Sequence, residues 1–213
     1  MQAARRASLS SSDTAGQPVP GRSRTRPLLV FAGVATVGYC ADLGTKELAL
    51  ARLDVGRYVP LLGDWFGFFL TSNSGAAFSL GTSYTLVLTW IAILAATVTL
   101  VLVARRLRST AWAWGLGFLL AGILGNLTDR IVREPEPLRG HVIDFLRFPD
   151  FPVFNIADIC INIAAGFIII QALRGVRVDG SREERGRHAG SDEASLTTSP
   201  TARPGGLTAT AWL

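Results

Sequence analysis

Polar and apolar residues are not interspersed along this chain but gathered into blocks. From Trp65 to Ala104, 40 consecutive residues contain no Asp, Glu, Lys or Arg, and from Ser109 to Thr128 another 20 contain none. Such stretches have no face to present to water, so they predict helices that cross a lipid bilayer. Four apolar segments are long enough to span, at about 27–50, 84–104, 110–129 and 152–173. At about 1.5 Å of rise per residue the second covers about 31 Å, the thickness of a hydrocarbon core. The first segment is apolar only as far as Ala41 and then carries Asp42, Lys46 and Glu47, and the fourth is interrupted by Asp158 alone. Both are read as helices whose hydropathy is lowered by polar groups set at membrane depth.

Between the first two spans, residues 58–62 and 65–71 are aromatic and β-branched runs on either side of Gly63-Asp64. That pattern predicts a hairpin with Trp65, Phe66, Phe68 and Phe69 at headgroup level. The 131–151 loop mixes Pro, Arg, Glu and Phe and is expected to form a short interfacial helix. Residues 1–26 and 174–213 lack apolar periodicity and are rich in Ser, Arg, Gly and Thr, the composition of disordered tails. The expected fold is an all-α membrane protein. It has four transmembrane helices over 27–173, a small extracytoplasmic β element between helices 1 and 2, and two disordered cytoplasmic tails.

Charge adds the orientation. Of the 21 basic residues, 14 fall in the two tails and in the turn carrying Arg105, Arg106 and Arg108. Six, Arg52, Arg57, Arg130, Arg133, Arg139 and Arg147, fall on the other side. The positive-inside rule then places both termini and the Arg-rich turn on the cytoplasmic side. The basic balance is thus a topology signal, and the uncharged stretches exclude a nucleic-acid-binding domain, with no nucleic-acid partner expected, and an ordinary cytosolic enzyme.

Ionisable residues within spans are costly and face a bundle interior. Span three ends Gly125-Asn126-Leu127-Thr128-Asp129-Arg130 and span four begins Phe154-Asn155-Ile156-Ala157-Asp158. Each contains Asn-x-x-Asp, a spacing that sets the amide and the carboxyl on one helix face. Because the two spans run in opposite directions, Asp129 and Asp158 lie at similar depth near the outer surface. Two carboxyls in a shared, partly desolvated site hold one proton between them. Such a pair can activate water against a peptide carbonyl without a metal or cofactor. The chain has two His and lacks the HExxH and GxSxG motifs. A proton- or ion-coupled transporter using Asp42, Asp129 and Asp158 as carriers is the alternative.

Five ordered motifs resemble one family, the lipoprotein signal peptidases (signal peptidase II). They are Asp42-Leu43-Gly44-Thr45-Lys46, Asn73-Ser74-Gly75-Ala76-Ala77-Phe78-Ser79, Gly125-Asn126-Leu127-Thr128-Asp129-Arg130, Val142-Ile143-Asp144-Phe145 and Phe154-Asn155-Ile156-Ala157-Asp158. The resemblance implies an intramembrane aspartic endopeptidase of the bacterial inner membrane that cuts prolipoproteins before a diacylglyceryl-modified cysteine and is inhibited by globomycin; the chain is expected to be a monomer among membrane lipids. By carry-over, Asp129 and Asp158 would be the catalytic pair. Asn73, Asn126, Arg130 and Asn155 would support the active site or bind substrate backbone, and Asp42 and Lys46 would belong to the helix-one motif. On the residues alone, Asp42 and Lys46 read as an ion pair at the interface. Asn73 reads as a turn former, Arg130 as a residue that snorkels or positions substrate or the Asp129 carboxylate, and Asp144 as a hydrogen bonder that fixes its loop. Departures from the family pattern are Leu43, where Gln is common, and Ala121 and Ala164, where Gly is common.

Overall fold

A computed structural model describes residues 23–75 and 83–182. Four helices dominate it: α1 (Thr25–Arg52), α2 (Ser83–Arg106), α3 (Thr110–Val132) and α4 (Ile156–Leu173). All four are long and apolar enough to cross a membrane. Three strands, β1 (Tyr58–Leu62), β2 (Phe66–Asn73) and β3 (Val142–Arg147), form one antiparallel sheet in that order. The motif stretch Ala76, Ala77, Phe78 and Ser79 lies outside the described residues, as do 1–22 and 183–213 of the two expected tails.

Helix α3 is the centre of the bundle. Its apolar window is 56% buried, against 22% for each of the other three. Small residues let its neighbours come close: a Cβ on Gly122 would stand 2.5 Å from the Ala157 carbonyl oxygen, and one on Gly117 2.9 Å from Cβ of Val34. Phe31 and Ala35 of α1, Ala96 and Val103 of α2, and Leu116, Leu120 and Ile123 of α3 fill the interior. Helix α2 turns Trp90, Ile91, Leu94 and Val98 outward, as a lipid-facing helix does.

The predicted hairpin is present as β1 and β2, with Tyr58 opposite Phe69 and Pro60 opposite Gly67. The interfacial helix expected within 131–151 is absent; that segment contributes β3 instead. Val142 pairs with Asn73 and Asp144 with Thr71. The physical reason is an edge: β2 would otherwise leave a row of backbone groups unpaired. Ala49 near the end of α1 packs with Leu70, Ile143, Phe145 and Leu146, so the sheet is docked against that end of the bundle.

Two boundaries differ from the sequence expectation. Helix α4 starts at Ile156 rather than near residue 152, because Asn155 and Asp158 form a capping box. Asp158 therefore sits in the first turn of the helix and not two turns inside it. At the opposite end, residues 174–182 are folded onto the bundle. The carbonyl of Val178 accepts from Arg108 N and Ser109 N, and Trp112 Nε1 donates to the Val176 carbonyl at 2.8 Å. The ordered chain thus continues at least to Arg182, past the tail boundary expected at 174.

Candidate active site

Where the sheet meets α1, α3 and α4, charged and amide side chains collect in two linked groups. In the first, Lys46 Nζ lies 2.7 Å from Asp42 Oδ2 and 2.8 Å from Asp129 Oδ2, and all three side chains are fully buried. Asp42 Oδ1 accepts from Ala157 N at 2.8 Å, which ties α1 to the start of α4. The other oxygen of Asp129 accepts from Arg133 Nε at 2.6 Å, and Ile143 N donates to Oδ2 at 3.2 Å. Arg133 also reaches Glu47 at 2.7 Å. Asp42 and Asp129 balance Lys46 and Arg133 in charge, with Glu47 meeting Arg133 from the exposed side, and such pairing is the condition under which charges are tolerated in an interior. A glycine is required beside it, since a Cβ on Gly125 would collide with the Asp42 carboxylate.

The second group is built on asparagine. Asn155 donates from Nδ2 to Asp144 Oδ1 at 2.6 Å, and its backbone N donates to Asp158 Oδ2 at 3.1 Å. One residue therefore touches both carboxyls. Asn73 Nδ2 donates to the other Asp144 oxygen at 2.8 Å, and Asn126 Nδ2 donates to Asp158 Oδ1 at 2.9 Å. The two groups meet at Asn126, whose Oδ1 accepts from Lys46 Nζ and from Asn155 Nδ2, each at 3.1 Å. Those two donors fix the amide with its oxygen toward Lys46, so its NH₂ must face Asp158.

Asp144 is 2% exposed. Its carboxyl is pushed up from the ordinary 3.8 to about 6, by burial first and by the nearby charge of Asp158, against the donors Asn73 and Asn155, which hold it down. A cavity of about 1220 Å³ opens beside this group. Asn73, Asp158 and Asn162 supply its polar wall, and Trp65, Phe148 and Phe154 its aromatic one. Trp65 meets Phe148 edge-to-face at 5.1 Å and Phe148 stacks on Phe154 at 5.8 Å, so the hairpin tip and the segment after β3 share one aromatic roof. Arg130 sits between the groups. It feels the charges of Asp144, Asp129 and Asp158, and its buried Nη1 has no hydrogen-bond partner among the described residues. Among those residues no three His, Cys, Asp or Glu side chains converge as a metal site.

All eight residues singled out from the sequence lie in these two groups or beside them, but their parts differ from the expectation. Asp129 is not poised beside Asp158. Its oxygens are engaged by Lys46, Arg133 and the Ile143 N–H rather than by Asp158 or the amides that hold Asp158. The carboxyl that shares a bridging residue with Asp158 is Asp144, expected only to fix its loop. Asp42 and Lys46 do pair, but in the interior rather than at the interface. Arg130 does not bind Asp129; Arg133 does, one turn further along. Asn73 has both roles, since its Oδ1 also accepts from Gly75 N at 2.8 Å. Arg133 was legible in part: it stands four residues after Asp129, the spacing of a helical ion pair.

Known proteins resemble this chain over most of its length. The family model described as signal peptidase (SPase) II matches residues 34–174. A lipoprotein signal peptidase of Streptomyces coelicolor is 42% identical over 164 residues, covering 77% of this chain and 79% of its own. One from Rhodococcus jostii is 43% identical, covering 78% and 82%. Another, from Mycobacterium avium, is 43% identical, covering 77% and 90%. A solved bacterial membrane enzyme superposes with a TM-score of 0.59 at 24% identity, over 70% of this chain and 94% of its own, and so shares the fold. The chain belongs to the signal peptidase II family.

Proposed function

We propose that this signal peptidase II hydrolyses the signal peptide of prolipoproteins with Asp144 and Asp158 as its carboxyl pair. The observation that carries the assignment is the grip of Asn155 on both carboxyls, combined with the raised Asp144 and the cavity at Asp158. A carboxyl near 6 beside a second carboxyl is suited to hold the proton, and the other to accept one. Water held between them attacks the scissile carbonyl carbon. Its proton passes to Asp158 while Asp144 donates to the carbonyl oxygen. Collapse of the tetrahedral diol returns a proton to Asp144, and Asp158 protonates the leaving amine, restoring the pair.

The unspent donor of Arg130 is placed to bind a substrate carbonyl, and Asn73 and Asn155 hold Asp144 in register. Lys46 acts at one remove by orienting Asn126 toward Asp158. Asp129 keeps a structural part, as the common counter-ion of Lys46 and Arg133. The substrate is a prolipoprotein whose modified cysteine keeps its acyl chains in the bilayer, and the arginine distribution puts the sheet end of the bundle outside with both termini cytoplasmic. The chain works as a monomer. The transporter alternative has no support from the family or from the relatives.

Cleavage of a diacylglyceryl-modified lipobox peptide by purified protein tests the assignment. Wild type should cut before the modified cysteine and be blocked by globomycin, while Asp144→Asn and Asp158→Asn, still folded, should not cut. Activity in folded Asp144→Asn would return the second carboxyl to Asp129.

A further inference from the structure

One turn along α4 from Asp158, toward the middle of the span, stands a polar side chain that the proposed chemistry does not use. Asn162 is, Cys160 apart, the only polar residue between Asp158 and Gln171 in an otherwise apolar run. It is exposed, and it lines the same cavity as Asp158. An exposed amide on a spanning helix has no water to satisfy it. Half of it is satisfied locally, since Nδ2 donates to the Asp158 carbonyl at 2.9 Å. A carbonyl only accepts, so this bond sets the NH₂ against the backbone and makes Oδ1 the free end. No described residue donates to that oxygen. The cavity wall therefore offers one uncommitted acceptor, about 5.4 Å further into the membrane than Asp158 along the helix axis.

We infer that Asn162 binds the substrate, its Oδ1 accepting a backbone N–H of the signal peptide about two residues before the scissile bond. This rests on the proposed cleavage at Asp144 and Asp158. A signal peptide keeps its basic amino end in the cytoplasm, so from the scissile bond it runs inward, past Asn162. A carbonyl inside a helix is shielded by its own turns, so the residues before the cut must be unwound to bring it to the carboxyls. Unwinding the carboxyl end of a helix frees N–H groups that had been donating four residues back. Within a bilayer no water takes the place of the lost acceptor. An extended chain advances about 3.3 Å per residue, so one helical turn of α4 matches about two residues of substrate. What Oδ1 requires is an amide N–H, which every residue but proline supplies. Asn162 thus reads the unwound backbone, while Ile159 and Ile163 beside it give the cavity an apolar wall.

The test is cleavage, by the full chain in detergent, of diacylglyceryl-modified lipobox peptides in which one backbone N–H is replaced by an ester oxygen. The replacement is made at the second or at the third residue before the cysteine. Wild type should cut one of these esters about tenfold less efficiently than the all-amide peptide, the upper end of what one hydrogen bond contributes, with KM raised and kcat kept. Asn162→Leu, similar in size and suited to a lipid-facing position, should cut the all-amide peptide about tenfold less efficiently and no longer distinguish it from that ester. A merely structural role for Asn162 would lower activity on amide and ester alike and leave the discrimination intact. Equal cleavage of all the peptides by wild type, or the same discrimination retained by Asn162→Leu, overturns the inference and leaves the carboxyl assignment standing. If folded wild type cuts none of the peptides, the peptidase chemistry falls and the inference falls with it.

Discussion

The separate roles assigned to Asp144 and Asp129 can be told apart by measuring stability and activity on the same two variants. Asp144 is almost fully buried, and its carboxyl titrates at about 6 instead of the ordinary 3.8. At 1.36 kcal/mol per pH unit, keeping it ionised in the folded protein costs about 3 kcal/mol. The sign follows from linkage: a raised acid favours the folded state below 3.8 and disfavours it fully above about 6. Asp144→Asn removes this cost at pH 8. It also turns an amide NH₂ toward the donors of Asn73 and Asn155, which offsets part of the gain. The melting temperature at pH 8 should therefore stay near wild type or rise, while cleavage falls by about 10²–10⁴, the range for losing a general acid. Asp129→Asn should do the opposite in stability. It removes one of the two carboxylates that hold fully buried Lys46 and one of the two that hold Arg133, leaving Asp42 and Glu47 to them. Losing charge-assisted hydrogen bonds of this kind costs about 1.5–3 kcal/mol, and at about 2–4 °C per kcal/mol the midpoint should drop by about 3–12 °C. Thermal unfolding in detergent, paired with lipobox-peptide cleavage below each variant's midpoint, gives both numbers. An Asp129→Asn protein with the wild-type midpoint but no activity would refute the reasoning, because a carboxylate held by two cations cannot be lost without cost.

Three further outcomes follow from the same geometry. The kcat/KM of wild type should fall as pH rises through about 6, where the free enzyme loses the Asp144 proton, and a flat profile from pH 6 to 8 would exclude Asp144 as the proton donor. Lys46→Met should lower the midpoint by an amount similar to Asp129→Asn, since Asp42 and Asp129 would then face each other across a buried gap. It should also reduce kcat more than it raises KM, because Asn126 loses the donor that orients it; an unchanged kcat would remove Lys46 from the site. Gly122→Ala should destabilise by about 1–3 kcal/mol, the usual cost of overpacking, because its Cβ would meet backbone of α4 that cannot rotate away. Circular dichroism melting would register this, and a neutral result would mean that α3 and α4 sit further apart.

What the sequence determined by itself is the part governed by local pattern and by solvent. Uncharged runs of bilayer length dictate spans, because nothing else can satisfy their backbone in lipid. The Gly63-Asp64 turn between apolar runs dictates a hairpin, and Asn-x-x-Asp spacing sets amide and carboxyl on one face. The motifs were enough to place all eight expected residues around one site. What only the tertiary structure decided is who partners whom. Asp129 and Asp144 are both short acidic residues in motifs of the same family, and spacing cannot say which is neutralised. Lys46 comes to Asp129 from another helix 83 residues away in sequence, and Arg133 closes on it from the next turn. Asp144 reached Asn155 only because 142–147 added a strand to β2, and that pairing is long-range, set by an open sheet edge rather than by the segment's own composition. The fold of residues 174–182 was equally hidden, since their polar composition reads as tail until the α2–α3 turn supplies the backbone donors they accept. Local pattern fixes what each segment must become in its solvent. The chemistry of a buried carboxyl depends on the cations and amides packed around it, and those arrive from elsewhere in the chain.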